Sequence, residues 1–256
     1  MLEKPLNARQ VNILKMIEQN GSATIDELES SFDVTPQTLR RDLNLLADAN
    51  LIQRFHGGAS STTSTQNLPY QDRQIRYLRE KEAIAREIAL HIPDHSSLFI
   101  NIGTTTETIA KALMNHSGLQ VVTNNLHVAS LMSQKEDFRV IVTSGEVRAR
   151  DGGIVGEATM DFVKQFRLDF GIIGISAIDE DGTLLDYDYR EVRVAQAIIE
   201  HSRHVFLAAD HSKFGRRAMV RLGSITQANM FFTDQAPNSN IISLMEENDV
   251  KLQICQ

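Results

Sequence analysis

Between residues 97 and 233, short apolar runs alternate with amphipathic stretches, and this alternation constrains the fold more than any other feature of the sequence. The runs have the length of strands, and the stretches between them repeat apolar residues at helical spacing. Apolar strands that alternate with helices are typical of a mostly parallel sheet covered by helices on both faces. The predicted strands are Ser97–Ile102, Gln120–Thr123, Arg139–Thr143, Phe170–Ile175, His204–Ala209 and Met230–Thr233, and the predicted helices include Thr105–Asn115, Asn125–Ser133, Ala158–Phe166 and Tyr189–Ser202.

The first 58 residues follow a different pattern, three short helices and a hairpin. The second helix begins with a capping box at Thr24–Glu27, and the third begins with Thr35-Pro36, a capping residue before a proline at the first helical position. A strand over Leu51–His56 then meets the glycine pair Gly57–Gly58. This order predicts a winged helix-turn-helix that presents its third helix to a partner.

The composition divides the chain into three parts. Residues 1–58 are the predicted winged helix-turn-helix, and residues 59–70 are a Ser- and Thr-rich linker. Residues 71–256 form the predicted α/β domain for effector sensing and oligomerisation. This domain begins with a charged amphipathic helix over Tyr70–His91, which we expect to pair with a second copy or to dock.

Overall charge does not favour nucleic acid. The chain has a formal net charge of −7, and its first 58 residues hold six basic and eight acidic residues. Bulk electrostatics therefore gives no argument for DNA binding, which depends on where the basic residues lie.

The remaining bulk features point to a cytoplasmic protein. No apolar run is long enough to span a membrane, and the N-terminus lacks a secretory signal. The single cysteine, Cys255, fits a reducing compartment. No cofactor motif is recognisable, and His201 and His204 lack a third metal ligand.

The third helix carries the predicted base-reading residues. With Leu39, Leu43 and Leu46 inward, polar side chains occupy its other faces, and arginine and glutamine can each pair with base edges in the major groove. In the wing, alternate residues of one strand face the DNA backbone. The predicted DNA-binding residues are Thr35, Gln37, Thr38, Arg40, Arg41, Asn44, Arg54 and His56. The alternative is that Arg40 and Arg41 only solvate the helix and pair with Asp42 or Asp48.

These residues carry a resemblance to the DeoR family of bacterial repressors. The similarity runs through Val34–Leu43, with its Arg-Arg-Asp segment, to the wing Arg54–Gly58. Asn50 stands where the family often has glycine, and both residues accept a left-handed backbone. The resemblance implies a homo-oligomeric repressor that binds double-stranded operator DNA.

Four loops that follow predicted strands carry candidate ligand-binding residues. Gly103–Thr106 opens a helix whose N-terminus favours an anion, although a plain helix cap explains this loop as well. Asn124 and Asn125 suit hydroxyl groups, and Arg148 and Lys213 suit a phosphate. Ligands bind beyond the carboxyl ends of strands in such sheets, so these loops are expected to converge.

The family resemblance extends through this domain, whose fold it likens to that of ribose-5-phosphate isomerase. It implies a phosphate site at Gly103, Thr104, Thr105, Thr106 and Lys213, with Asn124, Asn125 and Arg148 around the ligand body. Ser144 replaces a frequent glycine, and Arg193 or Gln196 stands near a frequent lysine, which argues against residual catalysis.

Four tracts resemble the branch of the family that controls glycerol-3-phosphate metabolism: Arg150–Ala158, Gln165–Ser176, Glu200–His204 and Asp210–Arg216. The expected function is a repressor that glycerol-3-phosphate releases from DNA. Two alternatives remain: a regulator that senses another sugar phosphate, and an isomerase-like enzyme. Asp179, Asp186, Asp188 and Glu191 are the nominal bases for such an enzyme.

Overall fold

The computed structural model describes residues 6–55, 57–61 and 67–256. Its N-terminal part is a winged helix-turn-helix domain. The elements are α1 (Ala8–Asn20), β1 (Ser22–Thr24), α2 (Ile25–Phe32), α3 (Pro36–Asp48), β2 (Ile52–Phe55) and β3 (Gly58–Ser61). The strands form an antiparallel sheet in the order β1-β3-β2. The helices pack around fully buried leucine and isoleucine side chains, among them Ile17, Leu28, Leu39 and Leu43.

Strand β3 begins the segment that was predicted as a linker. Its four residues are buried, and Ala59 is fully enclosed by the three helices. Small residues fit this position because β3 lies between β1 and β2. The polar composition of the segment concealed the strand.

Two helices follow, α4 (Tyr70–Ile75) and α5 (Leu78–Leu90). The sequence predicted one helix here, but Arg76 is extended and ends the first helix, and Tyr77 adopts a left-handed backbone with φ 53° before the second. The buried Lys81 ammonium donates hydrogen bonds to the carbonyl oxygens of Arg73 and Arg76, and the latter bond is 2.8 Å long. These bonds satisfy carbonyls that the interrupted helix leaves free.

The large domain contains the predicted parallel sheet, and this confirms the α/β class. Its seven strands are β4 (Ser97–Ile100), β5 (Gln120–Thr123), β6 (Arg139–Val142), β9 (Leu168–Gly174), β12 (Ser202–Ala208), β14 (Met230–Thr233) and β15 (Lys251–Ile254), in the order β15-β14-β12-β9-β4-β5-β6. Strand β15, at one edge of the sheet, was not predicted from the sequence. Short strands outside this sheet are β7 (Glu146–Val147), β8 (Ile154–Val155), β10 (Ala177–Ile178), β11 (Thr183–Asp186) and β13 (Val220–Ser224).

Helices cover both faces of the sheet, as predicted. The remaining helices are α6 (Thr104–Ala112), α7 (Leu126–Met132), α8 (Glu157–Val163), α9 (Tyr189–Glu200) and α10 (Ser239–Glu247). Leu98 and Ile100 of β4 face the core under α5, α6 and α7, whereas Phe99 faces the core under α8, α9 and α10. The apolar character of Leu98, Phe99 and Ile100 follows from this burial on both sides.

The strand order reverses between β4 and β9. From β4 the chain crosses through α6 to β5 on one side, and from β9 it crosses through α9 to β12 on the other side. A crevice opens at the carboxyl ends of such a strand pair, because the two connecting segments diverge. The fold therefore places a ligand pocket at the ends of β4 and β9.

Candidate functional sites

Helix α3 presents a polar surface at its N-terminus. The Thr35 hydroxyl accepts a hydrogen bond from the Thr38 amide at 3.4 Å, and Pro36 occupies the first helical position. Because Leu39, Leu43 and Leu46 are buried, the other faces point outward. Thr35, Gln37, Arg40, Arg41 and Asn44 are exposed, and Thr38 is partly buried.

Asp42 is the buried member of the Arg-Arg-Asp segment. Its carboxylate accepts hydrogen bonds from Arg9 at 2.7 Å and from Gln10 at 2.8 Å, both on α1. Asp42 thus fixes α3 against α1 and is not a partner of the arginines beside it. Within the described part of the chain, no carboxylate lies within 4.0 Å of the Arg40 or Arg41 guanidinium. Both arginines remain free for a partner.

Arg54 connects strand β2 of the wing to helix α3. Its guanidinium donates to the Asn44 side-chain oxygen at 2.8 Å, to the Arg40 carbonyl at 3.3 Å and to the Gly58 carbonyl at 3.1 Å. Burial and the nearby Arg40 lower its pKa. Arg54 therefore orients Asn44 on α3. His56 lies outside the described residues.

A pocket opens at the switch point between β4 and β9, with a volume of roughly 420 Å³ including its open mouth. Backbone from both strand ends contributes to its wall, together with charged side chains of both signs. The lining consists of Asn67, Arg73, Ile102, Gly103, Thr104, Thr105, Gly174, Ile175, Ser176, Asp186, Glu191 and Lys213.

The N-terminus of α6 supplies hydrogen-bond donors to this pocket. Gly103 has φ 142°, a backbone conformation that favours glycine, and no side chain caps the helix. The amides of Thr104 and Thr105 therefore point toward the pocket without a capping partner. The Thr106 hydroxyl lies behind them and donates to the Gly103 carbonyl at 2.8 Å.

Lys213 adds a positive charge to the same pocket. Its side chain is 13% exposed, and its ammonium lies 3.7 Å from the Asp210 carboxylate. Burial lowers the pKa of Lys213 to about 8, and the cations Arg216, Lys81 and Arg73 act in the same direction. An anion in the pocket would relieve this repulsion.

Two acidic residues also line the pocket, and each has one oxygen held by the protein. Asp186 accepts from the Ser176 hydroxyl at 2.9 Å and from the Tyr187 amide at 2.7 Å, both at Oδ1. Glu191 accepts from Arg148 at 2.6 Å through Oε2. Burial raises the pKa of both carboxyls, and the neighbouring Asp186 also contributes to the pKa of about 7 at Glu191.

The other predicted ligand residues lie outside this lining. Arg148 forms a buried ion cluster with Asp151 at 2.7 Å and with Glu191. Asn125 caps α7 and donates to Glu107 at 3.0 Å, and Asn124 donates to the Ile154 carbonyl at 3.1 Å. Both asparagines are fully buried. Of the predicted ligand-binding residues, Gly103, Thr104, Thr105 and Lys213 line the pocket. The other four, Thr106, Asn124, Asn125 and Arg148, lie outside its lining.

Asn67 and Arg73 line the pocket but were missed in the sequence. Asn67 donates to the Ser176 hydroxyl at 3.2 Å and accepts from Arg216 at 3.0 Å. Arg73 lies 3.6 Å from Asp151. A polar residue at the end of a Ser- and Thr-rich segment and an arginine among other charges on a helix carry no local signal of ligand binding.

The residues that follow Arg73 in the chain contact the winged domain. Arg76 donates to the Asn20 carbonyl at 3.0 Å and lies 3.8 Å from the Glu27 carboxylate, to which the Tyr77 hydroxyl donates a hydrogen bond. The Tyr77 ring also contacts the His211 ring edge-on at 4.7 Å. Residues 67–77, which we call the connector, thus join the pocket to the DNA-binding domain.

A cleft separates helix α3 from the large domain. Pro36 and Arg40 lie on one wall, and Asp179 and Glu180 lie on the facing domain. Two acidic residues and a residue that was predicted to contact DNA therefore line the same cleft.

Within the described residues, no group of three or more potential metal ligands comes together, and no helix is long and apolar enough to cross a bilayer.

Comparison with known proteins identifies both domains. Residues 9–65 match the DeoR-like helix-turn-helix domain, and residues 77–235 match the DeoR C-terminal sensor domain. The glycerol-3-phosphate regulon repressor of Escherichia coli (strain K12) is 53% identical over 247 residues, which cover 96% of this chain and 98% of that protein. The repressor of the same name from Haemophilus influenzae is 51% identical and covers 96% of each chain.

Among solved structures, ribose 5-phosphate isomerase A from Neisseria gonorrhoeae is similar with a TM-score of 0.38 and 16% identity, over 52% of each chain. The curated relatives above are transcriptional repressors, which suggests a non-enzymatic role. Both domain matches and the identity to these repressors over nearly the whole length lead to one conclusion: the chain belongs to the DeoR family of transcriptional repressors.

Proposed function

We propose that this protein represses a carbon-metabolism operon and that glycerol-3-phosphate releases it from operator DNA. The observation that carries the proposal is that one short segment, the connector, both lines the pocket and holds the DNA-binding domain. The relatives named glycerol-3-phosphate regulon repressors support this choice of ligand. DNA as the partner implies action in the cytoplasm.

At the DNA end, the free guanidinium groups of Arg40 and Arg41 are suited to base edges in the major groove. The amides at the start of α3 suit a phosphate of the DNA backbone. One winged helix offers few base contacts, so we expect a homo-oligomer, at least a dimer, on an operator with two half-sites.

At the ligand end, the phosphate would lie against the Thr104 and Thr105 amides, with the Lys213 ammonium beside it. A helix N-terminus and a cation together favour a dianion. The pocket is small, and charged side chains surround it, which fits a short phosphorylated polyol better than a large ligand.

We propose that the arrangement described here is the released form. The carboxylates of Asp179 and Glu180 across the cleft from Arg40 would repel DNA phosphates, so operator binding requires the winged domain to move. A ligand that contacts Asn67 and Arg73 would hold the connector in place. By linkage, operator DNA must then weaken ligand binding by the same factor that ligand weakens operator binding.

The test is operator affinity measured with increasing glycerol-3-phosphate, with glycerol as the control. Glycerol-3-phosphate should weaken operator binding about fivefold to a hundredfold, and glycerol should not. Lys213→Ala should retain operator binding and lose this response. If another sugar phosphate acts instead, the ligand assignment is wrong; if no phosphorylated metabolite acts, the sensor proposal fails.

The rival class is a sugar-phosphate isomerase, for which Glu191 in the pocket is the available base. Its carboxylate is bound to Arg148, however, and the relatives are repressors. Purified protein should not convert ribose-5-phosphate. Measurable turnover would overturn the non-enzymatic assignment.

A further inference from the structure

The two carboxylates in the pocket have a consequence for ligand choice. Asp186 is 5% exposed, and the Glu191 side chain is 17% exposed, so each is largely removed from water. Burial raises the pKa of both groups, because the protein around them does not fully compensate the charge of the ionised carboxylates. A ligand that enters this pocket must satisfy them.

Each carboxylate offers one oxygen to the pocket. Ser176 and Tyr187 donate to Oδ1 of Asp186, and Arg148 donates to Oε2 of Glu191. In the described part of the chain, no group donates a hydrogen bond to Asp186 Oδ2 or to Glu191 Oε1. Both residues line the pocket together with Lys213 and the α6 N-terminus. The pocket thus contains donors for an anion and two acceptors that lack donors.

We propose that Asp186 and Glu191 determine ligand specificity by accepting hydrogen bonds from two hydroxyl groups and by excluding phosphorylated acids. This inference rests on the proposed function, because it assumes that the phosphate occupies the α6 end. Two adjacent hydroxyls can each donate to one free oxygen. A carboxylate at the same place would meet two carboxylates at short range in a partly buried site, where like charges repel strongly.

Two arginines lie on the protein side of the Glu191 carboxylate. Arg148 holds Glu191 and Asp151, and Arg150 lies 3.9 Å from Glu191. These arginines fix the carboxylate from the protein side and leave its other oxygen toward the ligand. Asp186 accepts hydrogen bonds from neutral donors only.

Three phosphorylated ligands of similar size separate the contributions. Glycerol-3-phosphate carries two hydroxyls, propyl phosphate carries none, and 3-phosphoglycerate carries a carboxylate. Calorimetric titration of the full chain should show the first binding more tightly than each of the others by about tenfold or more, because hydrogen bonds to charged acceptors are strong and buried acceptors are costly to leave unpaired.

The variants Glu191→Gln and Asp186→Asn remove one negative charge each. They should weaken glycerol-3-phosphate and strengthen 3-phosphoglycerate, so that the ratio of the two dissociation constants falls about tenfold toward unity. Glu246→Gln, an exposed carboxylate outside the pocket, is the matched control and should leave the ratio unchanged. Operator affinity without ligand checks that each variant is folded.

A merely structural role for the two carboxylates would weaken all three ligands by the same factor, and this result would overturn the proposal. Equal affinity of the unmodified protein for glycerol-3-phosphate and 3-phosphoglycerate would also overturn it, while leaving the proposed function intact. If none of the three ligands binds to the unmodified protein, the proposed function fails together with the inference.

Discussion

The DNA-binding surface and the ligand pocket are built in opposite ways. The surface on α3 consists of exposed side chains from one continuous segment, held by buried leucines behind them. The pocket consists of largely buried polar and charged side chains from segments as distant as Asn67 and Lys213, and Arg73, Glu191 and Lys213 are each held by an ion pair. Function and stability are therefore separable on the surface, whereas in the pocket they depend on the same ion pairs.

The largest expected effect tests whether the ion pairs around the pocket stabilise the fold. Arg148→Ala leaves the buried carboxylates of Asp151 and Glu191 without their main cation, and the protein should lose about 3–5 kcal/mol of unfolding free energy. Arg150→Ala is the control, because its side chain is 53% exposed and its ion pairs are longer. That change should cost at most about 1 kcal/mol. Denaturant unfolding measures both, and equal effects would contradict the buried cluster.

The next effect tests whether function and stability are separable on the surface of α3. Arg40→Ala and Arg41→Ala should each weaken operator binding by about 1–3 kcal/mol if the arginine contacts a base. Neither side chain has a carboxylate partner among the described residues, so the melting temperature should not change. Unchanged operator affinity in the double variant would remove α3 as the reading element. Asp42→Asn, in contrast, should lower stability, since Asp42 links α3 to α1.

The same comparison explains what the sequence could predict. The α3 surface depends on local periodicity and capping, and its exposed residues follow directly from the positions of Leu39, Leu43 and Leu46. The loop at Gly103–Thr106 was likewise predicted at the start of a helix, and Gly103 caps α6 there. Local features of this kind are visible without knowledge of strand pairing.

The rest of the pocket required the pairing of β4 with β9. This pair joins Leu98 to Phe170, residues far apart in sequence, and brings Ser176, Asp186 and Glu191 to the end of β4. No local pattern encodes that neighbour. The break at Tyr77 was also hidden, because the charged residues on both sides fit one continuous helix, and the break depends on Lys81 reaching back to α4.

A smaller effect tests the connector between the two regions. Tyr77→Phe removes the hydrogen bond to Glu27 and so destabilises the released form by about 1 kcal/mol. Operator binding without ligand should become severalfold tighter, and more glycerol-3-phosphate should be needed for release. Tyr187→Phe is the matched control, because its hydroxyl donates to the Arg217 carbonyl, within the large domain and outside the connector. Similar effects of both changes would show that the connector contact does not control operator affinity.

A further effect concerns pH, and it tests the cationic end of the pocket. The pKa of Lys213 is lowered to about 8, chiefly by burial. A bound phosphate favours the charged lysine, so binding at pH 8 takes up protons. Because a phosphate monoester has its second pKa near 6, the charge of the ligand is constant above pH 7. Affinity for glycerol-3-phosphate should therefore fall between pH 7 and pH 9, by at most about tenfold per pH unit.

Lys213→Arg provides the control for this titration. A guanidinium stays protonated over the whole range, so the affinity of the variant should fall less steeply than that of the unmodified protein. The slope that remains reports the ionisation of Glu191, whose pKa is raised to about 7. Equal slopes for the unmodified protein and Lys213→Arg would mean that another group controls the pH dependence. In that case the ammonium of Lys213 does not contact the phosphate, and the amides of α6 alone would define the anion site.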